Sequence, residues 1–110
     1  MPQVLGAWER GEIEGTPESY MHFFARVRDV MSEISAGQGR ALVVTSGGLI
    51  GTVLRQTLAL DLEGWAQMCL AIQNTSIHRW QMVLGRAMLV HFNGTPHLDT
   101  PDRHFARTHL

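Results

Sequence analysis

Residues 41–50 have the sequence Ala41-Leu42-Val43-Val44-Thr45-Ser46-Gly47-Gly48-Leu49-Ile50, and this stretch decides the fold class. Residues 40–45 contain a continuous apolar run, which is typical of a β-strand covered on both faces. Small residues end the run, and apolar residues at helical spacing then continue to Leu58. A strand, a glycine turn and a helix in this order predict one βα unit of an α/β sheet.

Further helices are predicted on both sides of this unit. Thr16 and Pro17 are residue types that begin helices, and glycine at 37 is a typical stop. Asp61 is expected to cap a shorter helix that carries Cys69. The first of these helices has a wide apolar stripe, formed by Tyr20, Phe23, Phe24, Val27, Val30, Met31 and Ile34.

Residues 75–92 alternate in the way that predicts a β-hairpin, with a tight turn at Gly85-Arg86. One face of its first strand is expected to carry His78, Trp80, Met82 and Leu84, and the other Ile77, Arg79, Gln81 and Val83. Residues 1–15 are rich in glycine and glutamate, which predicts an irregular arm at the start of a single domain over residues 1–110.

The amino-acid composition limits the binding partners and the cellular compartment that are expected for this protein. Nine Lys and Arg against ten Asp and Glu give a formal net charge of −1, which offers no basic face for nucleic acid or for a membrane surface. Apolar runs are far shorter than the roughly 20 residues of a membrane-spanning helix. The single cysteine, Cys69, excludes an internal disulfide, so the cytoplasm is the expected compartment.

The turn Ser46-Gly47-Gly48 is the best candidate for a binding site. Ligands gather where strands of an α/β sheet end, and a following helix presents free N–H groups and the positive end of its dipole. A phosphate or a phosphorylated small molecule suits such a place. The alternative is a glycine turn that only joins strand to helix, since the P-loop lysine and the Gly-x-Gly-x-x-Gly pattern are both absent.

The acidic residues, the cysteine and the histidines are expected to have structural rather than catalytic roles. The acidic residues before and at the first predicted helix are expected to form a solvated surface, and Cys69 is expected to be a buried, inert thiol. No metal site or cofactor is predicted, because the histidines lack the spacing of metal ligands. They are His22, His78, His91, His97, His104 and His109.

Three stretches together resemble the C-terminal half of the histidine phosphatase superfamily, also called the phosphoglycerate mutase-like fold. They are Glu18-Ser19 with Phe24 and Arg26-Val27, then residues 41–50, then Asn74-Thr75-Ser76-Ile77 followed by Asn93 and His97-Leu98. The resemblance implies an α/β three-layer αβα sandwich that carries out phosphomonoester hydrolysis or phosphoryl transfer at its strand ends. It also implies that the first strand of that sandwich, with its Arg-His-Gly nucleophile, is lacking here.

The chain departs from the family pattern in its catalytic residues. Arg-His-Gly does not occur in the 110 residues, and Ser46 stands where the resemblance implies a second histidine. Serine donates a neutral hydrogen bond and brings no positive charge to a phosphoryl group. The catalytic residues and the proton donor are therefore unassigned, and the chain is expected to be inactive alone.

Two expectations follow for partners and function. Without the first strand, the strand at 40–45 has an unpaired edge, which favours a homodimer, a rebuilt sheet or a missing N-terminal segment. One functional hypothesis is a phosphatase-like or mutase-like protein whose nucleophile comes from elsewhere. The alternative is a non-catalytic oligomeric binding module that retains the fold.

Overall fold

The computed structural model describes residues 2–109. Within that range the chain forms four α-helices, one antiparallel hairpin and two short 3-10 helices at Pro96–Leu98 and Pro101–Ala106. This mixed structure confirms the predicted α/β class. The elements are α1 (Pro2–Glu9), α2 (Tyr20–Ala36), α3 (Gly47–Leu58), α4 (Leu62–Ala71), β1 (Ile77–Val83) and β2 (Arg86–Gly94).

The core is the contact between α3 and α4. Four consecutive residues of α3, from Gly51 to Leu54, are buried, and so are Trp65, Ala66 and Cys69 of the neighbouring α4. Gly51 allows this approach, because a Cβ placed there would overlap the Cys69 sulfur. Glycine in mid-helix costs about 1 kcal/mol of helix stability relative to alanine. The close packing of α3 against α4 explains why glycine nevertheless occupies position 51.

Three consecutive side chains near the end of α3 reach three different elements. Arg55 Nη2 donates to Glu9 Oε1 on α1 at 3.0 Å. Gln56 Nε2 donates to the Phe24 carbonyl on α2 at 2.9 Å. Thr57 Oγ1 accepts from Trp80 Nε1 on β1 at 3.2 Å. Helix α3 is thus the element to which the rest of the chain is attached.

Helix α1 corrects part of the irregular arm expected over residues 1–15, because Pro2–Glu9 are helical while residues 10–15 belong to no helix or strand. Its Trp8 ring lies 5.6 Å from the rings of Tyr20 and Phe23, and its Glu9 pairs with Arg55. The Arg55 guanidinium in turn lies 4.7 Å from the Trp65 ring, within cation–π range. Packing against distant residues orders this segment, which the local abundance of glycine and glutamate did not indicate.

Helix α2 begins later than the sequence predicted. Its N-cap is Ser19 rather than Thr16, because the Ser19 hydroxyl accepts the His22 N–H at 3.2 Å. The predicted end at Ala36 and the predicted cap at Asp61, whose carboxylate accepts the Gly64 N–H at 2.8 Å, are both confirmed.

The strand predicted over residues 40–45 does not form. Within the described part of the chain, residues 40–46 belong to no helix or strand, and Leu42 and Val44 are 93% and 90% exposed. A strand is defined by hydrogen bonds to a neighbour, and the sheet formed by residues 2–109 contains only β1 and β2. An apolar run with high β-propensity is thus unpaired within the described residues.

The hairpin of β1 and β2 confirms the predicted alternation, with His78 and Trp80 half-buried on one face. Its turn is at Leu84-Gly85, one residue earlier than predicted. Both residues have positive φ, 51° and 76°, as a two-residue type I′ turn requires. Leu84 is therefore a non-glycine residue in the left-handed region, although it is 99% exposed and has no packing to gain.

We predict that Gly51→Ala lowers the free energy of unfolding by about 1–2 kcal/mol, because overlap with Cys69 outweighs the gain in helix propensity. Cys69→Ala removes the overlapping sulfur. In that background Gly51→Ala is expected to be neutral or stabilising. Urea unfolding of the four proteins in this double-mutant cycle measures the coupling, and independent additive effects would contradict the proposed contact.

We predict that Leu84→Asn raises the free energy of unfolding by about 0.5–1 kcal/mol, because asparagine tolerates positive φ far better than leucine. Leu84→Val is the matched control and should lower it, since a β-branched residue is the least tolerant. Thermal unfolding followed by circular dichroism compares the three proteins. The same midpoint for both variants would argue against strain at this turn.

Candidate functional site

A groove of about 1400 Å³ separates residues 40–46 from β1. Its base is formed by the C-terminal part of α2 and the N-terminal part of α3, including Ile34 and Val53. Residues 72–76 close it on the side of the hairpin. Residues 41–47 and 74–77 of the resembling stretches therefore line this groove.

Two residues of the predicted binding turn, Ser46 and Gly47, line the groove. Ser46 is the N-cap of α3, with extended backbone at φ −97° and ψ 161°, and its carbonyl accepts the Ile50 N–H at 3.1 Å. Its side chain is exposed and, within residues 2–109, makes no capping hydrogen bond. The first N–H groups of a helix have no partner inside the helix, so this end of α3 suits an anion.

Gly48 is placed differently from its two neighbours. It is exposed, lies outside the set of residues that line the groove, and its carbonyl accepts the Thr52 hydroxyl at 2.9 Å. Of the three predicted phosphate-binding residues, Ser46 and Gly47 therefore face the groove together. Gly48 contributes backbone at the helix start, where an added Cβ would meet open space.

The opposite side of the groove carries a polar segment held by two side chains from farther along the chain. Thr75, at φ 60°, has its hydroxyl 3.1 Å from His97 Nε2. The Asn93 amide accepts the Gln73 N–H at 2.8 Å and donates to the Ala71 carbonyl at 2.7 Å. Motif residues that are far apart in the sequence thus lie at the same end of the hairpin. They are Asn74–Ile77, Asn93 and His97.

Ser76 and His78 form a hydroxyl–imidazole pair that the sequence analysis missed. Ser76 Oγ lies 2.8 Å from His78 Nε2, and both residues line the groove. The signal was available, because residues two apart at a strand share one face. Such a pair raises the question of a serine nucleophile activated by histidine.

The hydrogen bonds of His78 argue against that role. Its Nδ1 accepts the backbone N–H of Asn93 at 3.1 Å, and a backbone N–H can only donate. The proton of the neutral ring is therefore on Nε2, which donates to Ser76 Oγ. Burial also lowers the pKa of His78, favouring this neutral form. A base with its proton already facing the serine cannot accept the hydroxyl proton.

Three acidic residues of the N-terminal region, Glu9, Glu12 and Glu18, are paired with arginines. Glu18 receives two hydrogen bonds from Arg26, both at 3.0 Å, and lies 2.5 Å from His22 Nδ1. The Arg26 guanidinium is the main reason that the pKa of Glu18 is lowered. Glu12 is bonded to Arg10 in the same way. None of these carboxylates lines the groove.

Cys69 lies in the core, and burial raises the pKa of its thiol. The thiolate is the reactive form, so this position suits packing rather than nucleophilic chemistry. Among residues 2–109 there is no group of three or more His, Cys, Asp or Glu side chains arranged to hold a metal ion. No helix in the same range is both long and apolar enough to cross a bilayer.

The sequence profile of the histidine phosphatase superfamily (branch 1) matches residues 1–95. The chain belongs to this superfamily. Neither the curated proteins nor the solved structures include a match. The helices and the hairpin are accordingly a fragment of the histidine phosphatase α/β fold, as the resemblance implied. The match extends across α1, which gives the corrected N-terminal helix a place in the family domain.

As a histidine phosphatase relative, the chain is unusual at the groove. The Ser46-Gly47-Gly48 turn lies at the start of α3, where the resemblance implies a His-Gly-Gly turn. Its 110 residues contain no Arg-His-Gly. The backbone of the turn is thus retained while the charge of the second histidine is not.

We predict that the free energy of unfolding falls as the pH is lowered from about 7 to 5, in part because of His78. An unfolded histidine has a pKa near 6.5, and that of folded His78 is lower. The unfolded state therefore takes up the proton first, and the loss of stability begins as the pH falls through the unfolded pKa.

Urea unfolding at pH 7.5 and pH 5.0 measures this effect. His78→Gln should reduce the pH dependence, whereas His91→Gln, on the exposed side of β2, should leave it unchanged. Equal pH dependence in wild type and His78→Gln would exclude the neutral, half-buried state deduced for His78.

Proposed function

We propose that this chain supplies the phosphate-binding half of a histidine-phosphatase-type site. The ligand class is inorganic phosphate or a phosphorylated small molecule, held at Ser46, Gly47 and Gly48. The observation that carries the proposal is the start of α3, which meets a large groove in a chain whose superfamily acts on phosphate groups. A cytosolic location is proposed with it, supported by the single cysteine.

The physical support is the chemistry of a helix start. N–H groups at the first turn of α3 and the helix dipole both favour a negative group. The Ser46 hydroxyl adds one neutral donor, weaker than the imidazolium implied by the family pattern. The groove lining includes Arg40 and Arg79 and no Asp or Glu, so no carboxylate of the lining opposes an anion.

We further propose that the chain does not turn over a phosphomonoester by itself. Phosphoryl transfer of the family type needs the nucleophile of the Arg-His-Gly motif, and these 110 residues lack that motif. Ser76 cannot replace it, since the His78 proton faces its hydroxyl. Turnover is expected only where another segment supplies the nucleophile.

The second candidate function is a non-catalytic oligomeric module that keeps the fold without the reaction. The observation in its favour is the exposed apolar segment with Leu42 and Val44, which is an unusual surface for a monomer. The two functions differ in one property, since only the first requires phosphate to bind at the start of α3.

We predict that inorganic phosphate and phenyl phosphate shift the amide resonances of Gly47 and Gly48 in a saturable titration. Ser46→Ala should weaken binding by about tenfold, because a hydrogen bond to a charged group is lost. Ser46→Asp should abolish binding through like-charge repulsion. Ser46→His should tighten binding at pH 5.5 and not at pH 8, since only the imidazolium adds positive charge.

The matched control is Ser32→Asp, which makes the same charge change on the exposed face of α2, outside the groove lining. It should bind phosphate as wild type does. Hydrolysis of an aryl phosphate is measured on the same samples and is expected to be absent. Shifts that are equal in wild type and Ser46→Asp would contradict the site, and turnover lost in Ser46→Ala would contradict the inactivity.

A further inference from the structure

Residues 96–109, here called the C-terminal clasp, are hydrogen-bonded to the polar segment that lines the groove before β1. The Asn74 N–H donates to the Thr108 carbonyl at 2.8 Å, and the Asn74 side-chain amide donates to the Thr108 hydroxyl at 3.0 Å. Gln73 forms an isolated antiparallel bridge with His109. Gln73 and Asn74 both line the groove, so the clasp is attached to the back of one of its walls.

A second contact of the clasp is made by His97. The Thr75 hydroxyl donates to the Asn74 carbonyl at 2.6 Å. Because this hydroxyl has then donated its only proton, it accepts from His97 Nε2, which lies 3.1 Å away. The clasp therefore accepts hydrogen bonds from Asn74 and donates one to Thr75. Two consecutive residues of the wall are bonded to opposite ends of the clasp.

Thr75 is the residue of the wall that needs this support. Its φ is 60°, which is a left-handed conformation that β-branched residues adopt only at a cost. A conformation of this kind persists where the surrounding contacts over-determine it. The clasp contacts Asn74 and Thr75 themselves, so its release removes hydrogen bonds that hold the strained residue in place.

The clasp is braced internally, yet it is attached without buried side chains. Within it, Arg107 donates to Asp99 Oδ1 at 2.6 Å, and Arg103 donates to the His97 carbonyl at 3.1 Å. None of residues 96–109 is buried in the described structure, and Phe105 is 86% exposed. A segment attached by exposed hydrogen bonds, without a buried apolar side chain, opens at a small cost in free energy.

We propose that docking of the C-terminal clasp regulates phosphate binding by fixing the shape of residues 73–76. The inference rests on the proposed function of the Ser46 turn. Ser46 and Thr75 line the same groove. The Thr75 N–H has no acceptor within residues 2–109, so it is a donor for an anion in the groove while the turn keeps its left-handed form. Phosphate therefore favours the docked clasp, because a ligand shifts an equilibrium toward the state that it binds better.

The test combines an inorganic phosphate titration, followed at the Gly47 and Gly48 amides, with hydrogen exchange of the Asn74 amide. In wild type the Asn74 amide should be protected, and phosphate should slow its exchange further, because coupling between two sites is reciprocal. The double variant Asn74→Ala, His97→Ala removes the side-chain contacts between wall and clasp. It should lose the protection at position 74 and bind phosphate about fivefold more weakly.

Two further variants separate positioning of the wall from a general loss of structure. His97→Gln keeps an N–H donor for Thr75 and should bind phosphate as wild type does. The matched control, His104→Ala, removes an exposed imidazole from the 3-10 helix Pro101–Ala106 of the same clasp, and it should also leave binding unchanged. Amides of α3 and α4 should exchange equally in all variants, since none of the substituted residues is buried.

Three results would overturn the proposal. One is rapid exchange of the Asn74 amide in wild type, which would mean that the clasp does not dock. Another is a double variant that loses this protection and still binds phosphate as wild type does. The third is equal weakening of phosphate binding by His104→Ala. A wild type that binds no phosphate would overturn the proposed function and the coupling together, and the Asn74 amide would then still report whether the clasp docks.

Discussion

The close approach of α3 to α4 at Gly51 is the contact on which the rest of the structure depends. It brings the buried side of α3 against Trp65 and Cys69, and so fixes where the end of α3 lies. Arg55, Gln56 and Thr57 then hold α1, α2 and the hairpin from one turn of helix. The same helix begins at the groove, so its packing also positions the candidate anion site.

Elements specified by nearby residues were predicted well from the sequence. The apolar stripe of α2, the Asp61 cap of α4 and the alternation of the hairpin are all local patterns, and the structure contains each of them. Helix α1 was missed because its order comes from Glu9 and Arg55, which are 46 residues apart. The strand at 40–45 was wrongly predicted because propensity describes one chain segment, whereas a strand needs a neighbour.

The features of the candidate site were likewise predictable from the sequence only where they depend on neighbouring residues. A strand-like run followed by small residues and an apolar helix correctly indicated that Ser46 begins a helix. The sequence could not indicate that Gly48 lies outside the groove, nor how the proton of His78 is placed. That placement depends on the backbone N–H of Asn93, 15 residues later and on the other strand.

The structure requires the Asn93 side-chain amide to stay chemically intact. Its amide joins the end of α4 to β2 by donating to the Ala71 carbonyl and accepting the Gln73 N–H. Glycine follows it, and these two hydrogen bonds hold the side chain away from the cyclisation that would convert the amide to a carboxylate. Conversion to a carboxylate would keep the acceptor but turn the donor into an oxygen facing a carbonyl. Slow hydrolysis of one amide would thus loosen the joint between the helical layer and the hairpin without any change in the gene.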